Sequence, residues 1–193
     1  MFFDADLVAE PDALERLSRP ILAGATVGTF TRDISVANPE NPWADCWTLN
    51  RGAQAGEHFK TPPPPRWANF RAVAREPFLG AGGYDDVGYG EDMTLAPKLQ
   101  TLADAVPGAR LRHHHPDSLG EVWENARWIG RGPALRSDPR AVRRYLPWRS
   151  VRRGITGART LHRPRYLAFA LVYDLGVLSS YCASRLGRRR HSK

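Results

Sequence analysis

Apolar positions open the chain. Met1, Phe2 and Phe3 precede Asp4-Ala5-Asp6, and Leu7-Val8 follow, so residues 1–8 predict a buried strand carrying an Asp-x-Asp pair. Leu14 and Leu17 recur at helical spacing after Asp12, which predicts a helix over Pro11–Arg19. The small and β-branched run Ile21–Thr31 predicts a strand. Residues 33–66 lose any period and end in Pro62–Pro65, the pattern of a long irregular loop. A short strand is predicted over Ala68–Val73, a glycine-rich turn over Gly80–Gly90 and a helix over Asp92–Ala103, with Pro97 in its first turns or kinking it. A strand over Ala109–His115 and a helix over Ser118–Ile129 follow. In the latter, Ser118 and Glu121 have the spacing of a capping box. Residues 136–163 are Arg-rich with few apolar positions, and an apolar run from Tyr166 follows, flanked by arginines.

These elements fit an α/β domain with a helical C-terminal part. Composition agrees with a folded chain: 193 residues, 42% hydrophobic and 25% charged. The two cysteines, Cys46 and Cys182, give neither a disulfide framework nor a zinc-ligand spacing, and a reducing, cytoplasmic setting is expected. The net charge of +8 is unevenly spread. Residues 1–109 hold nine Lys/Arg against fifteen Asp/Glu, and residues 110–193 hold nineteen against five. An acidic part able to hold a cation therefore precedes a basic part suited to anions. The arginines follow no nucleic-acid module and are not interleaved with a stacking platform, so no nucleic-acid partner is expected.

Three groups of residues carry candidate chemistry. Asp4 and Asp6, two apart on a strand, would face one way and could share a divalent cation such as Mg²⁺ or Mn²⁺. The same residues would equally serve turn and cap formation. Gly82-Gly83-Tyr84 leads to Glu91-Asp92 at a helix entry, where the glycines permit close approach to a ligand and a carboxylate could accept a proton. An acidic first turn complementing the helix dipole is the plainer account of that pair. His113 and His115 end a strand and could ligate a metal, while Arg127 suits phosphate oxygens and Trp128 could stack on a sugar or base.

Taken in order, Asp-x-Asp, a long loop, Gly-Gly-Tyr-Asp, Glu-Asp, a strand ending in His and then Arg-Trp, the chain resembles family 2 glycosyltransferases over residues 1–132. The resemblance implies part of a GT-A, Rossmann-like mixed sheet flanked by helices. It implies transfer of a sugar from a nucleotide-sugar donor to an acceptor hydroxyl, with inversion and with a divalent metal. Asp6 would bind that metal with Asp4 beside it, and His113 or His115 could join them. Asp92, with Glu91 adjacent, would be the general base. Gly82, Gly83 and Tyr84 would line the acceptor or sugar pocket. Glu124, Arg127 and Trp128 align with the family's Gln-x-x-Arg-Trp motif, with Glu at its first position. The family's opening strand-helix-strand units have no counterpart in these 193 residues. At ~30 residues per unit, on the order of 90 residues are missing. The resemblance thus implies a truncated product, weakly active alone, with a non-catalytic membrane-associated remnant or scaffold as the alternative.

The expected organisation is a partial catalytic domain over 1–132, an Arg-rich linker or helices over 133–163, and an apolar helix with a basic tail over 164–193. The apolar run approaches the ~20 residues that span a bilayer. Asp174 in its middle would cost roughly 2.5–3.5 kcal/mol there. A transmembrane, an interfacial and a core-packing helix are all open. Flanking arginines favour an anionic membrane surface, here the inner face of the cell membrane, which also suits a glycan or lipid-linked acceptor.

Overall fold

The computed structural model describes residues 1–138 and 140–190, with the side chains of 134, 136 and 187–190 left aside; residues 191–193 of the expected basic tail lie outside the described residues. The chain is mixed α/β, as expected. Its strands, however, form two small mixed sheets. It divides into two compact units, neither contiguous: residues 1–39, 51–86 and 90–115 form the first, and 40–50, 87–89 and 116–190 lie in the second. The expected boundaries at 132 and 163 fall inside the second unit.

In the first unit, β1 (Leu7–Ala9), β3 (Ile34–Val36) and β7 (Leu111–His113) form one sheet. The central β7 runs antiparallel to β1 and parallel to β3. The other sheet has the order β4 (Arg66–Trp67), β6 (Ala103–Ala105), β2 (Gly28–Phe30) and β5 (Ala72–Val73). Phe30, Phe70, Leu95 and Ala103 pack as its core. Helix α1 (Ala13–Leu22) buries Ala13 and Leu17 and carries the surface pairs Asp12–Arg16 and Glu15–Arg19, both 2.6 Å. Such exposed i,i+4 pairs are screened by solvent and add little, so burial of Leu17 does more to hold the helix.

Several expected boundaries are corrected. The opening strand is only Leu7–Ala9, because residues 4–6 turn: the Leu7 N–H donates to the Asp4 carbonyl at 3.0 Å. Asp4 and Asp6 therefore sit in a turn before β1, not at the end of a buried strand. Helix α1 runs through Pro20 to Leu22, and the strand expected from Ile21 begins at Gly28. The irregular 33–66 stretch contains β3 and helix α2 (Pro42–Asn50), which buries Ala44, Cys46 and Trp47. Helix α3 (Arg75–Gly80) precedes the glycine turn. The helix expected over 92–103 is a 3₁₀ turn (Glu91–Met93) and a short α4 (Leu95–Leu99). Pro97 fits only in a first turn, and left-handed Gln100 ends the helix before β6.

The second unit is helical: α2, α5 (Leu119–Ile129), α6 (Pro133–Ser137), a 3₁₀ turn (Ala141–Tyr145), α7 (Pro147–Thr160) and α8 (Tyr166–Arg190). In α5 the Ser118 hydroxyl accepts the Glu121 N–H at 3.3 Å, as expected of a capping residue, while the Glu121 carboxylate accepts from the Asp117 N–H at 3.0 Å. Helix α8 buries Tyr166, Phe169, Ala170, Tyr173 and Val177, one face at the 3.6-residue period, against α5 and α7. Asp174 lies on that same face, fully buried, and accepts a 2.6 Å bond from Arg153 Nη2 of α7. Residues 166–186 are long and apolar enough to cross a membrane, yet the buried stripe and its ion pair are what a core-packing helix has.

Burial pushes the Asp174 carboxyl upward, against the pull of Ser150 and Arg153. Removing the cation alone should therefore be costly. Arg153→Met is expected to destabilise the chain by roughly 3 kcal/mol, the lower end for a broken buried pair because Arg153 is partly exposed. Arg153→Met with Asp174→Leu should recover most of that loss. Urea unfolding checks both, and an unchanged midpoint in the single variant would remove the pair from the account of this unit's stability.

Candidate functional site

The central strand β7 organises the site of the first unit. Leu7 stands opposite His113 in the β1–β7 register, and the His114 N–H donates to the Asp6 carbonyl at 2.8 Å. These backbone pairings hold the Asp4–Asp6 turn beside the histidine strand. From the other side, Val36 N–H donates to Gly56 O, and Ser35 bridges to Glu57. This brings His58, from within the expected loop, onto the same strand end.

His113 Nδ1 lies 2.9 Å from the His114 carbonyl oxygen. A carbonyl only accepts, so Nδ1 carries the proton and Nε2 keeps its lone pair. That lone pair faces Asp6 Oδ2 at 3.6 Å. Burial lowers the His113 pKa, against the opposing pull of Asp6, so at neutral pH the ring is uncharged and the contact is not an ion pair. Two acceptors facing each other at this separation form a natural cradle for a cation. Behind them, His115 is buried and held through its backbone by the Asn38 side chain, at 2.9 and 3.0 Å. Its Nε2 is 3.3 Å from His58 Nδ1. Burial, with Arg51 and the other histidines adding to it, drives the His58 pKa down to about 2. His58, His113 and His115 each offer a nitrogen, all within 4.8 Å of one another. Neutral imidazoles are the form that ligates metals.

Asp4 turns away from this cluster toward Arg71, whose Nη1 donates to Asp4 Oδ2 at 2.9 Å. Arg71 is itself locked in place: its N–H donates to Thr29 O and its carbonyl accepts from Phe2 N–H, both at 2.9 Å. Asp92, in the 3₁₀ turn, accepts a short hydrogen bond from Asn69 Nδ2. Burial raises the Asp92 pKa; Arg71 opposes this, Asp4 adds to it and the Asn69 bond opposes it. Tyr84 sits beside this carboxylate. Its hydroxyl donates to Phe70 O at 3.1 Å, and burial first, then Asp92, pushes it up to about 12. It remains a protonated donor across the physiological range.

Asp4, Asp6, His113, His115, Tyr84 and Asp92 thus converge in the first unit, although they come from four separated segments. Glu91 is exposed, and its carbonyl accepts the Thr94 hydroxyl at 2.6 Å. Gly82 and Gly83 have φ of 74° and 71°, and their N–H groups bond back to Leu79 and Phe78 carbonyls, so they close α3. A side chain on Gly83 would press on the Phe78 ring. Arg127 and Trp128 belong to the second unit. There Arg127 lies 3.5 Å from Glu124, and the half-exposed Trp128 meets Tyr89 edge-on.

Sequence reasoning missed His58, Asn69, Arg71 and Arg51. Only His58 carried a signal, as a lone histidine in a long loop of the kind that often serves function. Compared with family models, curated proteins and solved structures, the chain matches none.

Asp92 is held where ionisation is disfavoured. A carboxyl whose pKa is raised on folding destabilises the fold as pH climbs from the ordinary value of 3.8 through its raised one. Asparagine keeps an acceptor for Asn69 without the charge. Asp92→Asn should therefore gain about 1 kcal/mol at neutral pH. Thermal melts across pH should show that gain shrinking to nothing below pH 3.8; a gain independent of pH would refute the electrostatic cause.

Proposed function

We propose that this chain transfers a sugar from a nucleotide-sugar donor to an acceptor hydroxyl, with inversion, using the first unit as part of a GT-A-type site of the family 2 glycosyltransferase kind. The observation that carries the reading is one convergence: a carboxylate–imidazole cradle (Asp6 with His113) and a half-buried carboxylate whose ionisation is disfavoured (Asp92) in the same unit, linked through Asp4 and Arg71. The motif order of the sequence is the second support.

The donor set fits a divalent cation. A carboxylate oxygen and a neutral imidazole favour Mn²⁺ over Mg²⁺, which prefers oxygen alone. Asp6 and His113 would hold the ion, with His58 and His115 nearest to complete or orient the set, while Asp4 stays paired with Arg71. A cation held there supplies charge neutralisation for the diphosphate oxygens. Arg71, fixed by Asp4 and two backbone bonds, adds a stationary positive charge next to the reacting region. Asp92 accepts the acceptor hydroxyl's proton as that oxygen attacks the sugar carbon and the bond from that carbon to the diphosphate oxygen breaks. Its raised pKa makes it a stronger base than an ordinary aspartate. Asn69 restricts its orientation, and Tyr84, whose hydroxyl donates to the Phe70 carbonyl, walls its other surroundings without adding charge. A glycan or lipid-linked acceptor and a position at the inner face of a membrane accord with the basic second unit.

The test measures Mn²⁺ binding by electron paramagnetic resonance alongside nucleoside diphosphate release from a panel of nucleotide sugars. Asp6→Asn and His113→Ala should each weaken Mn²⁺ binding on the order of tenfold or more. Asp92→Asn should retain the metal and lose about 10²–10⁴ in turnover, and wild-type turnover should fall on the acid side above the range of an ordinary carboxylate. Metal affinity indifferent to Asp6 and His113, or transfer indifferent to Asp92, would refute the proposal.

A further inference from the structure

The second unit contains an open groove of about 850 Å³ along α7 and the first turn of α8. Arg149, Arg152 and Arg153 line it, with Thr156 and Thr160 further along and Trp148 at one end. These positions recur at 3–4-residue spacing and form one stripe of α7. The floor is set by a close helix approach. A Cβ on Gly157 would stand 2.4 Å from the Tyr166 ring, so only glycine lets α8 come near enough to wall the groove.

The charge of this groove is unbalanced. No acidic residue lines it, and α7 contains none. Asp174 neutralises Arg153 from beneath, but Arg149 and Arg152 make no ion pair among the described residues. Two like charges one helical turn apart repel by a few tenths of a kcal/mol, a cost that a bound anion reverses. Guanidinium groups match phosphate oxygens with paired donors, and a threonine hydroxyl supplies a neutral one. We propose that this groove binds a phosphate group, with Arg149 and Arg152 as its charged ligands and Thr156 as a neutral donor.

Two sources share that chemistry: a soluble phosphate or diphosphate, and a lipid headgroup. The surroundings fit the lipid well. Trp148 is 66% exposed, and Val151 and Ile155 are exposed on the outer side of α7. Exposed Trp and aliphatic side chains beside arginines are what a helix lying in a headgroup layer presents. The inference is independent of sugar transfer, since it uses no residue of the first unit.

The experiment uses the full chain with two probes. One is inorganic pyrophosphate, followed by calorimetry. The other is vesicles of phosphatidylcholine with phosphatidic acid, followed by co-sedimentation against vesicles of phosphatidylcholine alone. Arg149→Gln with Arg152→Gln should weaken binding on the order of tenfold or more. Arg140→Gln with Arg143→Gln removes equal charge from exposed positions elsewhere in the unit and should change it little. Circular dichroism melts monitor folding of both, and Trp148→Phe should abolish a binding-induced fluorescence shift in the otherwise intact chain. Arg149- and Arg152-dependent binding of pyrophosphate identifies a soluble phosphate ligand. The same dependence seen only with acidic vesicles identifies the lipid. Binding to neither probe overturns the inference, as does equal weakening by the two double variants, which would reduce the groove to diffuse basic charge.

Discussion

The candidate site depends on the position of β7 between two partners. Its antiparallel pairing with β1 fixes the Asp4–Asp6 turn, and its parallel pairing with β3 carries in the segment bearing His58. The register is strict, because shifting a strand by one residue turns every side chain to the opposite face. A slip would take His113 away from Asp6 and bring His114, now exposed, into its place. Leu111, fully buried on β7, opposes such a slip through the apolar burial it would lose. The geometry of a polar site is thus set by an apolar residue two positions away.

Much of the fold was legible where local chemistry decides it. The Ser118 cap and the start of α1 follow from spacing alone, and the apolar run from Tyr166 marks a helix without saying what it packs on. What was not legible depended on tertiary partners. The predicted helix runs to Ala103, but Ala103–Ala105 pairs with β2 and β4 once Gln100 has ended α4. The stretch 33–66 carries no period because β3 is three residues long and α2 is apolar on more than one side. Such elements are held by what they pack on, not by propensity.

The candidate site divides in the same way. Asp4, Asp6, Asp92 and His113 stand in compact motifs whose residue types already suggest chemistry. Asn69, Arg71 and His58 are single residues whose roles exist only through pairing: Arg71 matters because Thr29 and Phe2 fix its backbone, and His58 because Gly56 and Glu57 join β3. The glycine pair has a structural role of its own: the left-handed backbone of Gly82 and Gly83 closes α3. Asp174, which in sequence looked like a charge set against the bilayer, is matched by Arg153, 21 residues away on another helix.

Asp92 and Asp174 show how one side-chain type takes two roles. Burial raises the pKa of both. Asp174 is fully enclosed, with a guanidinium at 2.6 Å, so its charge is committed to holding α7 on α8. Moving a proton to it would break that pair and leave the cation poorly matched. Asp92 is half-exposed, and its direct partner is the neutral amide of Asn69, with Arg71 acting only through space. It can gain or lose a proton without dismantling a helix contact. Burial alone therefore does not distinguish a carboxylate free to exchange its proton from a structural one. The distinction lies in whether a cation has already claimed it and whether solvent or substrate can reach it.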